Sequence, residues 1–211
     1  MKELIKKYEI WIFLVLGSVF NSLFVYSRAQ GLIPRFLYNH GRFSVLLFFL
    51  ICLVKYTRGN AGVKDIFKPM LNWIVRPKWY LFSFLFAFSI GAFTLLLKGF
   101  YSDGEFYSYL KLNYEYLTAT GIVVLFVWAF LGEVVWVSYC IRELSKIMKP
   151  FYQSQIVGLS WTLWWIPIVI LGEGVLPGIP IWPLSIFMLG IAGMCTLVYG
   201  HSKSGVCVLI L

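Results

Sequence analysis

The sequence has little charge, few histidines and no cysteine pattern. Only 13% of its 211 residues are charged, Asp and Glu together number 9, and histidines number 2. A soluble domain of this size needs a larger polar surface, which argues against that class of protein. The four cysteines lie in apolar runs without CxxC spacing: Cys52, Cys140, Cys195 and Cys207. We therefore expect buried thiols rather than disulfides or a zinc knuckle.

Most of the chain is apolar. The chain is 60% hydrophobic and 19% aromatic, and its mean hydropathy is +0.82. Continuous apolar runs of about twenty residues are typical of membrane-spanning helices and unlike the alternating strands of a barrel. We predict an all-α, polytopic transmembrane bundle that forms a single membrane domain over residues 1–211. Six full spans are expected at about Ile10–Tyr26, Tyr38–Val54, Trp79–Leu97, Thr118–Ile141, Gln155–Leu171 and Ile181–Tyr199, and a seventh begins near Gly205.

The basic residues predict the orientation of these spans. With the N-terminus inside, the inner segments hold thirteen Lys and Arg residues and the outer segments hold five. Such a bias places the N-terminus in the cytoplasm and favours the plasma membrane as the location. The same bias explains the net charge of +9, because basic residues collect on the inner side of a membrane protein. We therefore expect a lipid bilayer and no nucleic acid partner.

Glu133 is the unusual residue of the fourth predicted span. It follows fifteen residues without charge, 118–132, and the next charged residue is Arg142. A lipid-exposed carboxylate at membrane depth costs about 2.5 kcal/mol or more, so Glu133 should face a cavity or a partner. Depth alone favours equally a catalytic or proton-handling carboxyl and a hydrogen bond that joins two helices.

The surroundings of Glu133 resemble a known family motif. The segment GEVVWVSYCI is similar to the first motif of the CPBP intramembrane metalloproteases, which reads E-E-x-x-W/F-R-G-Y-L. This family includes CAAX prenyl proteases and bacteriocin-processing or immunity proteins of the Abi type. In this register Glu133, Trp136 and Tyr139 match, whereas Gly132 and Val137 replace the first glutamate and the arginine. A second register makes Glu133 the first glutamate and loses both aromatic matches.

The next predicted span resembles the second motif of the family. That motif reads like S-x-L-F-x-x-W-H-I-P, and the chain has SWTLWWIP at residues 160–167. Trp161 and Trp164 stand at aromatic positions, and Trp165 stands where the family has histidine. With similar segments upstream and downstream, the resemblance covers a core of about residues 76–211, and the family's third motif would begin after Leu211.

The resemblance implies a protease framework without its usual chemistry. In the family the first glutamate acts as general base and histidines hold metal or position water, but Gly132 and Trp165 supply no such groups. His40 and His201 are the chain's histidines, and we expect neither to be a ligand. We therefore expect no metal site and no cofactor, and zinc only if the protein is catalytic.

Three functions remain open from the sequence. The first is a catalytically degenerate membrane protein that binds a peptide or a membrane protein, as an immunity protein does, in a cavity lined by aromatic residues. The expected lining is Trp128, Trp136, Tyr139, Trp161, Trp164 and Trp165, with a hydrogen bond from the Trp165 indole to Glu133. The second is an active intramembrane metalloendopeptidase that uses Glu133. The third is a small transporter subunit in which Glu133 handles protons.

Overall fold

The computed structural model describes residues 1–101, 118–173 and 178–211. All regular secondary structure in these ranges is helical. The α-helices are α1 Lys2–Lys7, α2 Glu9–Ala29, α3 Arg35–Phe67, α4 Pro77–Tyr101, α5 Ala119–Glu133, α6 Arg142–Leu144, α7 Pro150–Ile170, α8 Ile181–Ser202 and α9 Gly205–Ile210. A 3₁₀-helix, Lys68–Leu71, follows α3, and a π-helix, Val134–Ile141, joins α5 to α6.

Five helical segments are long and apolar enough to cross a membrane. They are Glu9–Ala29, His40–Leu71, Pro77–Tyr101, Ala119–Leu144 and Ile181–Ser202. An all-helical chain with five such segments belongs in a lipid bilayer. Helix α7 has the length of a span at 21 residues but is not among these five. The expected count of six spans therefore stays a prediction.

The segment expected to open a seventh span is the short helix α9. Its first residues, Gly205–Val208, are buried against the rest of the bundle. The Ser204 hydroxyl accepts a hydrogen bond from the Cys207 amide at 3.3 Å and donates to the Asn72 carbonyl at 2.7 Å. These bonds hold α9 against the segment that follows the 3₁₀-helix, and α9 packs within the bundle.

Helices α7 and α8 approach each other very closely. A Cβ atom added at Gly158 of α7 would lie 2.8 Å from the Leu189 Cα atom and 3.1 Å from the Met188 carbonyl oxygen. Backbone atoms cannot move aside as a flexible side chain can, so only glycine fits at this position. This contact fixes the distance between two helices that carry part of the candidate site.

A buried polar cluster ties α2, α3 and the π-helix together. Glu9 is only 2% exposed, and its carboxylate accepts hydrogen bonds from Thr57 and, at 2.9 Å, from the Tyr139 hydroxyl. The Arg58 Nη2 atom lies 2.6 Å from Glu9 Oε1 and 3.0 Å from Glu143 Oε2. We call Glu9, Thr57, Arg58, Tyr139 and Glu143 the Glu9 cluster. Its charges are paired, which is the condition under which buried charges are tolerated.

Candidate functional site

A cavity of about 490 Å³ lies between four α-helices and the π-helix. Helices α3, α5, α7 and α8 form its walls together with Trp136 of the π-helix. Most of the lining is aromatic or aliphatic, and the charged residues on the walls are Arg42 and Glu133. The lining residues are Tyr38, Arg42, Phe43, Leu125, Trp128, Ala129, Gly132, Glu133, Trp136, Trp161, Trp164, Trp165, Phe187, Met188 and Ile191. Apolar walls with a few polar groups are typical of ligand sites.

The structure brings most of the residues singled out by the sequence to this cavity. Gly132 and Glu133 lie on its wall beside the five tryptophans Trp128, Trp136, Trp161, Trp164 and Trp165. The rings of Trp136 and Trp161 meet edge to face at 5.8 Å between centroids, which places the two motif helices side by side. Val137 and Tyr139 do not line the cavity; both are fully buried elsewhere in the core.

The π-helix explains why Trp136 and Tyr139 separate. In an α-helix, residues three apart lie on one face, so a regular helix would direct both side chains to the same side. In a π-helix each N–H bonds to the carbonyl five residues back, so three residues cover a smaller part of a turn. Trp136 consequently faces the cavity, whereas Tyr139 points to Glu9. Tyr139, which the motif resemblance led us to expect on the cavity wall, lies at the Glu9 cluster instead.

Glu133 lies on the cavity wall and has no hydrogen-bonding partner among the described residues. Its Oε2 atom is inaccessible and forms no hydrogen bond with any residue that the structure describes. The hydrogen bond expected from the Trp165 indole is not formed. Trp165 instead packs edge to face on Trp164 at 5.4 Å between centroids, and the Arg42 guanidinium carbon lies 5.2 Å from its ring centroid. These two contacts fix the Trp165 ring in an orientation set by its neighbours rather than by Glu133.

Arg42 is the residue of this site that sequence reasoning missed. Counted among the outer basic residues, it lies within α3 and is only 9% exposed. Its guanidinium carbon is 4.1 Å from the Trp164 ring centroid, a cation–π distance, and its Nη1 atom donates to the Tyr38 hydroxyl at 3.4 Å. The available signal was the spacing of Tyr38 and Arg42, which places an aromatic ring one helical turn from the guanidinium.

Helix α2 contacts the site through the Asn21 side chain. The Asn21 side-chain amide donates to the Trp164 carbonyl oxygen at 2.6 Å, and Asn21 is 6% exposed. The Trp164 indole N–H has no partner among the described residues. Three groups of the cavity wall, on Arg42, Glu133 and Trp164, therefore keep unused hydrogen-bonding capacity in an apolar setting.

The described lining does not fit a catalytic zinc. Such a zinc takes three protein ligands, and Glu133 is the one carboxylate, imidazole or thiol among the described lining residues. His40 packs near Trp128 at 5.5 Å, and His201 stacks on Trp79 at 4.9 Å, so the two imidazoles lie at different places in the bundle. Over residues 1–101, 118–173 and 178–211, no three His, Cys, Asp or Glu side chains are grouped to hold a metal.

Comparisons with known proteins give no relative for this chain. No family model, no curated protein and no solved structure matches it.

Proposed function

We propose that this chain is a multi-pass membrane protein that binds a peptide segment of another protein in the aromatic cavity. In this proposal it is a catalytically degenerate member of the CPBP family, of the immunity type, in the plasma membrane. The bundle has six spans and a cytoplasmic N-terminus, in keeping with the thirteen inner and five outer basic residues.

The observation that carries the proposal is the composition of the cavity walls. Five tryptophans surround a space of about 490 Å³, and its walls include buried atoms of Arg42 and Glu133 that have no hydrogen-bonding partner among the described residues. A peptide offers both kinds of group that these walls complement, namely apolar side chains and backbone hydrogen-bonding groups. Buried polar groups without partners are costly, and a bound peptide would remove that cost.

The degenerate motif positions support binding rather than hydrolysis. Gly132 has no side chain to act as a base, and Val137 is buried away from the cavity. Trp165, at the position of the family's histidine, can donate one hydrogen bond but has no lone pair for a metal. Gly132 and Trp165 thus contribute shape to the cavity without contributing acid–base chemistry, and Val137 does not reach it.

A tryptophan fluorescence titration tests the proposal. The probe is an uncharged apolar peptide, acetylated and amidated, added to the protein in detergent micelles, where the tryptophans of the cavity report binding. Ala129→Leu places a larger side chain on the cavity wall and should weaken binding about tenfold or more. Ala119→Leu adds the same atoms at the exposed start of α5 and should leave binding unchanged. Absence of a saturable signal, or equal effects of both variants, would refute peptide binding in this cavity.

The alternative of an active metalloendopeptidase rests on Glu133. Its position on the wall of a cavity that can hold a peptide is the observation in its favour. If this alternative is correct, the protein cleaves a peptide, and both a chelator and Glu133→Ala abolish the cleavage. Binding without cleavage, unchanged by chelator, supports the proposed function instead.

A further inference from the structure

Arg42, on the cavity wall, has a bidentate guanidinium edge that is buried and unpaired among the described residues. Its Nη1 atom donates to Tyr38, whereas its Nε and Nη2 atoms have no hydrogen-bonding partner among the described residues. Nε and Nη2 lie along the same edge of the planar guanidinium. This edge matches the two oxygen atoms of a carboxylate, with two parallel N–H···O bonds.

The protein holds this edge in a fixed orientation. Arg42 is 9% exposed, and its guanidinium lies 4.1 Å from the Trp164 ring centroid and 5.2 Å from that of Trp165. A surface arginine moves freely and points its charge into water, whereas Arg42 is stacked on two rings inside a bundle. The side chain therefore pays its ordering cost before any ligand arrives, which favours tight anion binding.

No acidic side chain among the described residues neutralises Arg42. Glu133 lines the same cavity, but no ion pair joins the two residues. A buried guanidinium without a counter-charge is costly, and an anionic ligand group would remove that cost. The presence of Glu133 on the wall disfavours a phosphate with two charges and adds an acceptor for a peptide N–H.

We propose that Arg42 binds a carboxylate of the peptide through Nε and Nη2 and so determines which peptides the cavity accepts. This inference rests on the proposed peptide binding. The carboxylate belongs either to a peptide C-terminus or to an acidic side chain, since the guanidinium edge recognises both alike. The aromatic walls then hold the apolar residues next to it.

The test compares matched peptides by tryptophan fluorescence in detergent micelles. The probes are one acetylated apolar peptide with a free C-terminal carboxylate, the same peptide as an amide, and the amide with one internal Asp. Wild-type protein should bind at least one of the two acidic peptides about tenfold more tightly than the neutral amide, equivalent to about 1.4 kcal/mol. The acidic peptide that binds more tightly identifies the source of the carboxylate.

Variants of Arg42 assign the preference to this residue. Arg42→Gln should reduce the affinity for the acidic peptide to that for the neutral amide. Arg42→Lys keeps the charge, and with it the folded bundle, but lacks the bidentate edge, so it should lose most of the preference. Arg35→Gln removes an exposed charge from the start of the same helix and should keep the full preference.

The outcomes separate this inference from the proposed function. Equal binding of acidic and neutral peptides leaves peptide binding intact and overturns the role of Arg42, as does a preference that survives in both Arg42 variants. If no peptide binds, both proposals fail. A short-chain alkyl phosphate serves as a further probe. If this probe alone bound in an Arg42-dependent way, the result would indicate a lipid ligand and contradict the proposed peptide carboxylate.

Discussion

Arg42 and Glu133 lie on the walls of the same cavity and form no ion pair with each other. A bundle built only for stability would pair two ionisable groups in an apolar environment or replace them. The Glu9 cluster shows that this chain does pair buried charges elsewhere. This contrast is the physical reason for proposing ligand binding at the cavity and a stabilising role for the cluster.

Replacement of Glu133 by Leu should not destabilise the protein. Because Glu133 has no hydrogen-bonding partner among the described residues, removing its carboxyl leaves no group newly unpaired. We expect the free energy of unfolding to stay the same or to rise by about 1 kcal/mol, and peptide binding to weaken. Thermal unfolding in detergent measures the first effect and the fluorescence titration the second.

Glu9→Leu is the matched control for this prediction. Glu9 pairs with Arg58 and accepts hydrogen bonds from Thr57 and Tyr139, so its loss should cost about 3–5 kcal/mol. A Glu133→Leu variant as unstable as Glu9→Leu would mean that Glu133 has a structural partner. The same result would restore the expectation of a hydrogen bond with Trp165.

Tyr139→Phe should weaken the Glu9 cluster and leave the cavity unaffected. This variant removes the hydroxyl that donates to Glu9 at 2.9 Å and should lower the free energy of unfolding by about 1–2 kcal/mol. Peptide affinity should not change, because Tyr139 lies outside the cavity wall. Trp136→Phe, three residues away, should instead weaken peptide binding. If Tyr139→Phe weakened binding as much as Trp136→Phe, the two side chains would share one face, contrary to the π-helix.

Gly158→Ala should push α7 and α8 apart. The added Cβ would lie 2.8 Å from a backbone atom of Leu189, and overpacking of this kind costs about 1–3 kcal/mol. Gly190→Ala is the control, since nothing lies within 4 Å of a Cβ atom at that position of α8. Unfolding midpoints of the two variants should differ clearly, and equal midpoints would contradict the close approach at Gly158.

Hydrophobic runs were sufficient to place the helices, because length and apolar composition act locally along the chain. Five of the expected spans coincide with helices that can cross a membrane. The depth of Glu133 also indicated that it must face something other than lipid. The extent of α3 was underestimated: it runs to Phe67 through a kink at Gly59, where φ is 70°, a conformation that glycine adopts readily.

The partners of the polar side chains depended on tertiary structure. Glu9 looked like one of several charges near the N-terminus, yet α3 and the π-helix surround it with Thr57, Arg58 and Tyr139. Arg42 looked like an outer basic residue, yet α7 brings Trp164 beneath its guanidinium. Neither contact has a local sequence signal, since its two sides come from distant parts of the chain.

The sequence by itself determined a helical membrane protein and the presence of an acid within one span, since both follow from the order of apolar and charged residues. Only the tertiary structure decided which side chains share a cavity. The π-helix turned Tyr139 away from it, and the packing of α3 against α7 brought Arg42 in. The helical period and the contacts between distant helices set where these two side chains point. Residue spacing alone predicts neither of them.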